Sequence, residues 1–194
     1  MSVPKKPRQH ELLDELVGLM ASEGFANFTL DELAARLHCS KTTLYGIARS
    51  KEQLVVKVVV AFFQSAAERV EERLLHSTGP VDRVSDYLDA VAAELGAASR
   101  AFMLDIAAFQ PAREVYERNT ALAAARVRRL VDDGFAAGDM RGVDAHFVGA
   151  ALSVVMSAIS RGEIADTTGL SDADAYRRLT EIVLYGITER RAGH

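Results

Sequence analysis

The sequence predicts an all-α chain of about nine helices, with a three-helix N-terminal domain ahead of a larger helical one. Three observations predict it. Apolar residues recur at spacings of three and four along the chain. Only 4 prolines interrupt its 194 residues. No run alternates polar and apolar for long enough to read as a strand, and no internal repeat appears. A composition of 49% hydrophobic and 26% charged residues is ordinary for a globular protein and is enough to bury a core.

The first helix reads over residues 9–22, where Leu12, Leu16 and Met20 stand four apart, as do Leu13 and Val17. Gly24 ends it, because glycine enters the left-handed conformation without a steric penalty. Thr29-Leu30-Asp31-Glu32 is a capping box, in which the Thr hydroxyl and the Glu carboxylate each satisfy an orphan backbone donor. Leu30, Leu33, Ala34 and Leu37 then form a helical stripe that His38-Cys39 breaks. Ser40 can cap a third helix through Leu44, Ile47 and Ala48. Ser50-Lys51-Glu52-Gln53 repeats the capping-box pattern and opens a long helix over residues 51–75.

Ser77-Thr78-Gly79-Pro80 is a clear break. Beyond it, helices read over residues 81–96, 99–109, 112–137, 143–160 and 172–190, with Gly138 and residues 166–169 as breaks. A cut inside the fourth helix divides the chain into residues 1–55 and 56–194.

The formal net charge of −4 is unevenly spread. Residues 1–57 hold eight Lys or Arg against seven Asp or Glu, and all five lysines lie there. That mild balance argues against indiscriminate nucleic-acid binding, which is largely electrostatic, and leaves the placement of single cations to decide. The single cysteine, Cys39, excludes an intramolecular disulfide and fits a reducing cytoplasm. The segment after Lys5 and Lys6 is polar, so no secretory signal is expected. The most apolar stretch, residues 147–160, is too short to span a bilayer, so no membrane partner is expected.

The chemistry lies in residues 28–45. Two short helices flank a tight turn, and the second opens with small polar residues. Ser and Thr there can approach base edges or phosphates closely, as a recognition helix requires. Lys41 adds a cation, and Lys51 stands at the positive end of the next helix, where it can neutralise a phosphate. No Gly-x-Ser-x-Gly, Gly-rich phosphate loop or His-Glu-x-x-His is present, so no enzyme chemistry and no cofactor are predicted. His38 beside Cys39 lacks a second cluster to complete a tetrahedral site, so no metal is predicted.

Leu33-Ala34, the turn, Ser40-Lys41-Thr42-Thr43-Leu44-Tyr45, and then Ser50-Lys51-Glu52-Gln53-Leu54 resemble the N-terminal domain of the TetR repressor family. The resemblance covers roughly residues 9–60. It implies a helix-turn-helix in which Lys41, Thr42 and Thr43 face the major groove. Thr29, Ser40, Tyr45 and Lys51 would hold phosphates, and Lys5, Lys6 and Arg8 would form an arm on the backbone or minor groove. The chain departs from the family at His38, where a glycine is usual, at Ala48, where an aromatic is usual, and at Arg49, where Pro or Gly is frequent. Gly46 falls inside the expected third helix, at a cost of about 1 kcal/mol relative to Ala.

The resemblance further implies a homodimer, paired through the last two long helices, on a palindromic double-stranded operator. Gly149, Ser153, Met156, Tyr176, Leu179, Val183 and Ile187 are the expected interface, although periodicity alone equally allows an intrachain core. Tyr87, Phe102, Met103, Phe109 and Tyr116 are the expected lining of a site for a small, largely apolar effector, with core packing the plainer alternative. The function implied is a repressor released by that effector. A helical interaction or ligand-carrier protein with a degenerate DNA-binding motif is the competing reading.

Overall fold

The computed structural model describes residues 7–138 and 144–187, and among them it has ten helices and no strand. In chain order these are α1 (Pro7–Glu23), α2 (Leu30–Arg36), α3 (Lys41–Tyr45), α4 (Lys51–Leu74), α5 (Pro80–Ala97), α6 (Arg100–Ala108), α7 (Gln110–Ala136), α8 (Ala145–Ser160), α9 (Glu163–Thr168) and α10 (Asp172–Ile187). The helix beyond the nine expected is α9. It lies between Gly162 and Gly169, both left-handed at φ +79° and +73°, in a stretch where residues 166–169 read as a break. Among the described residues no helix is long and apolar enough to cross a membrane.

The chain divides into two compact units: Met1–Ser65 with Ala98–Tyr116, and Ala66–Ala97 with Glu117–His194. The first is built on the apolar stripes of α1, α2 and α4. Leu16, Met20, Leu33, Leu44, Leu54, Val58 and Val59 are almost wholly buried. Phe102 of α6 packs edge-on against Phe25 and Phe62, with ring centres 5.9 and 5.0 Å apart, and Phe109 meets Phe25 at 6.3 Å. Tyr116 stacks on Phe63 at 5.0 Å. Offset and edge-to-face rings add about 0.5–1.5 kcal/mol per pair to the area they bury.

The second unit packs α10 against α5 and α8, with α9 against both α8 and α10. Its core includes Val84, Leu88, Val127, Leu130, Leu152, Met156, Ile159 and Tyr176. Arginine–carboxylate pairs join its helices, and Glu94 meets both Arg69 and, at 3.7 Å, Arg73. Arg69 donates through Nε (2.9 Å) and Nη2 (2.6 Å) to the buried Glu94, and Arg126 grips Glu71 at 2.8 and 3.0 Å.

Candidate nucleic-acid interface

Local sequence explains how α2 and α3 are presented. Thr29 caps α2 by accepting the Glu32 N–H at 3.2 Å, while its own N–H donates to Glu32 Oε2 at 2.7 Å. These bonds from Thr29 hold the Glu32 carboxyl below the usual carboxylate range. Helix α2 ends in a Schellman turn. The His38 N–H reaches Ala35 O (3.3 Å), the Cys39 N–H reaches Ala34 O (2.9 Å), and His38 is left-handed at φ +48°. His38 is the only non-glycine with positive φ among the described residues. It stands where the resembling family usually has glycine, and the turn needs the conformation that glycine adopts most cheaply.

Ser40 caps α3, accepting the Thr43 N–H at 3.1 Å, and its hydroxyl lies 2.8 Å from Thr43 Oγ1. Helix α3 is shorter than the sequence suggested. It ends at Tyr45, and Gly46 is its C-cap rather than an interior residue, with its N–H shared between the carbonyls of Thr42 and Thr43. Ile47 and Ala48 follow in a turn bonded to Leu44 O, and Ala48 is buried. Gly46 still holds a right-handed helical conformation (φ −67°, ψ −23°), so the entropic cost of ordering a glycine there remains. Helix α4 opens on Ser50, which accepts the Gln53 N–H at 3.2 Å, while Gln53 Oε1 accepts the N–H of Arg49 rather than of Ser50.

Thr29, Ser40, Lys41, Thr42, Thr43 and Tyr45 are all exposed, and Tyr45 shows half its surface to solvent. Only Leu44 of α3 is buried, so this short helix is anchored by one side chain and shows its polar residues outward. Lys41 Nζ pairs with Asp31 Oδ1 at 2.6 Å, which raises the pKa of the ammonium. Lys51 is half-buried and donates to Ala26 O at 2.8 Å. Lys57, which the sequence reading passed over, donates to Ile47 O at 2.5 Å. Lys5 and Lys6 lie outside the described residues, and Arg8 is described only as a position on α1.

The residues expected to line an effector site fall in both units. Phe102, Met103, Phe109 and Tyr116 belong to the first, where Phe102 and Tyr116 are buried in its aromatic cluster and Met103 and Phe109 are half-buried. Tyr87 is buried in the second. Burial, aided by the charge of Glu71, pushes its hydroxyl up to about 12. In the same unit Thr120 Oγ1 is buried without a well-formed hydrogen bond, although the Tyr176 hydroxyl is near enough to interact with it.

Of the expected interface residues, Met156, Tyr176, Leu179 and Val183 are buried within the protomer. Gly149 and Ser153 stand on the same inward face of α8. A Cβ on Gly149 would come within 2.6 Å of Arg128 Cγ, and Arg128 Nη2 lies 3.5 Å from Ser153 Oγ. Ile187 is described only as the last position of α10. Exposed apolar side chains stand nearby at Phe147 and Val154 on α8 and Ile182 on α10, and elsewhere at Leu75, Leu104 on α6 and Leu122 on α7. Phe147, Ala150, Ala151 and Val154 follow the i, i+3, i+4, i+7 rule, and all four are exposed.

Comparison with known proteins agrees with this architecture. Solved structures match over nearly the whole chain. A protein described as a transcriptional regulator from Saccharomonospora viridis, in complex with choline, is 17% identical with a TM-score of 0.70, covering 96% of this chain and 100% of that one. A TetR/AcrR-family transcriptional regulator from Thermobifida fusca is 21% identical with a TM-score of 0.64, covering 95% and 99%. The ketosteroid transcriptional regulator of Mycobacterium tuberculosis is 18% identical with a TM-score of 0.54, covering 96% and 98%. No curated protein matches significantly in sequence. At these identities the likeness establishes the fold. Residues 12–58, the segment holding most of α1, α2, α3 and the start of α4, match the model of the bacterial regulatory proteins of the tetR family.

Proposed function

We propose that the protein is a cytoplasmic transcriptional repressor that binds a palindromic operator as a homodimer and releases it when a small, largely apolar molecule binds. One observation carries the reading. Helix α3 is pinned by Leu44 and capped by Ser40, and it turns Lys41, Thr42, Thr43 and Tyr45 outward together. Lys41, Thr42 and Thr43 are assigned to the major groove, and Thr29, Ser40, Tyr45 and Lys51 to phosphates. Lys41 exchanges its Asp31 partner for a phosphate or base edge on binding.

A single helix of five residues contacts few base pairs, so useful specificity needs two. The exposed Phe147 and Val154 of α8 and Ile182 of the adjoining α10 favour an interface on these helices, with the buried Met156, Tyr176, Leu179 and Val183 supporting it from beneath. Two-fold symmetry then sets half-sites roughly 34–36 Å apart or a multiple of that. An effector of modest size is favoured by the choline complex of one structural neighbour and by the ketosteroid regulator among the others. Buried polar groups such as Thr120 and Tyr87 in the second unit are the kind that orient a ligand in an apolar site. Release follows if the ligand prefers the conformer that fits DNA less well.

The test is selection of bound sequences from a random duplex pool. Enrichment of an inverted repeat supports the reading, and an unenriched pool removes it.

A further inference from the structure

We infer that Asp105 of α6, a helix outside the family-matched segment, is a positioning residue for operator binding: with Lys51 of α4 it holds the N–H and the C=O of Ala26 in the turn that leads into the helix-turn-helix. The inference rests on the operator-binding reading above.

Asp105 Oδ2 accepts two consecutive backbone donors, the Phe25 N–H at 2.5 Å and the Ala26 N–H at 2.8 Å. Lys51 Nζ donates to Ala26 O at 2.8 Å. An acid and a base thus grip one residue from opposite polar ends, and such charge-assisted bonds are roughly twice as strong as neutral ones. The approach is close enough to exclude a side chain. Gly24 is left-handed at φ +83°, and a Cβ there would lie 2.6 Å from Asp105 Oδ2 and 3.1 Å from Ala101 Cβ. Two further links run between the same segments: the Ser99 N–H donates to Ala21 O at 2.8 Å, and the Phe25 ring sits against Phe102 and Phe109.

The turn 24–28 delivers the chain to the Thr29 cap, and α2 packs on α3. Its geometry therefore sets where α3 stands. Asp105 itself is unsuited to touching DNA, because a carboxylate repels phosphate. That gives the role a distinctive sign. Removing a negative charge from a DNA-binding unit raises affinity on electrostatic grounds alone, whereas losing a positioning residue lowers it.

The experiment compares the full-length wild type with Asp105→Asn, Asp105→Ala and Gly24→Ala, using the duplex selected by the wild type and a random duplex of equal length. Specific affinity is expected to fall about ten-fold or more for Asp105→Ala and less for Asp105→Asn, which keeps an acceptor oxygen. Random-duplex affinity should stay level or rise. Amide exchange at Phe25 and Ala26 should quicken in both variants. Gly24→Ala should weaken operator binding, and by less in the Asp105→Ala background, where part of the clash is gone. Where Asp105→Ala fails to fold, Asp105→Asn carries the test. Operator affinity equal to or above wild type, or unchanged exchange at Phe25 and Ala26, overturns the inference. A wild type that selects no sequence shows the failure of the operator reading in the unmutated chain, and the inference falls with it.

Discussion

The two compact units use their polar side chains differently. In the first, besides the ion pairs Arg36–Glu23 and Lys41–Asp31, charged groups seize backbone: Asp105 takes the Phe25 and Ala26 N–H groups, Lys51 takes Ala26 O, and Lys57 takes Ile47 O. In the second, arginines meet carboxylates across helix pairs, Arg69 with Glu94 and Arg126 with Glu71. Side-chain pairs hold two rods side by side and leave the turns between them unfixed. Bonds to backbone fix the turns themselves. On the operator-binding reading proposed above, the first unit presents a five-residue helix in register and needs the second kind, while the helices of the second unit are joined by the first.

The largest test of this contrast lies in the second unit. Arg69→Met leaves the buried Glu94 with only Arg73, 3.7 Å away, as a cation partner, which costs up to about 3 kcal/mol. Chemical denaturation should show that loss. A change below about 0.5 kcal/mol would mean that the pair contributes little and that the contrast is decorative.

Val154→Arg, alone or with Phe147→Arg, places charge on the exposed stripe of α8 without touching the core. Light scattering should report a monomer with unchanged helicity, and operator affinity should drop about a hundred-fold, because each half-site is then bound singly. A dimer that survives both changes would move the interface off α8.

Alkaline stability tests the buried core of the same unit. Tyr87 has its pKa raised to about 12 by burial. A raised folded-state pKa gives stability that is present below the unfolded value near 10 and is lost as pH climbs from 10 to 12. The contribution is on the order of 2 kcal/mol. Denaturation midpoints should hold up to pH 10 and then fall, and Tyr87→Phe should flatten that fall. An unchanged slope in Tyr87→Phe would show that Tyr87 ionises as an exposed tyrosine does.

The smallest effect is expected in the turn between α2 and α3. His38→Gly relieves a left-handed non-glycine residue and should stabilise the protein by about 1 kcal/mol, raising Tm by a few degrees. A lower Tm would mean that the His38 side chain makes contacts worth more than the conformation costs.

Much of the first unit was legible because its signals are local. Thr29 and Ser40 announce their helices by hydroxyls three residues ahead of the donors they cap, and Gly24 ends α1 where a left-handed residue was needed. Asp105 was not legible, since nothing near residue 105 indicates that its partners stand about eighty positions earlier. Helix α3 was overextended because Leu44, Ile47 and Ala48 fit a helical stripe that a capped turn satisfies equally well. In the second unit periodicity announced α8 and α10 without saying which face turns inward. Gly149 and Ser153, expected at a contact with a partner, also stand beside Arg128 of the same chain. Helix α9 is a single short stretch between two left-handed glycines, below the length at which a stripe can be recognised.

The central claim is that the outward residues of α3 read a two-fold operator. The most direct measurement is protection of DNA flanking the protein's own gene at physiological salt, with excess random DNA present. Two protected half-sites related by a dyad, lost in Thr42→Ala combined with Lys41→Ala, is the predicted result. Protection that random DNA competes away equally, or that survives the loss of Lys41 and Thr42, would contradict it.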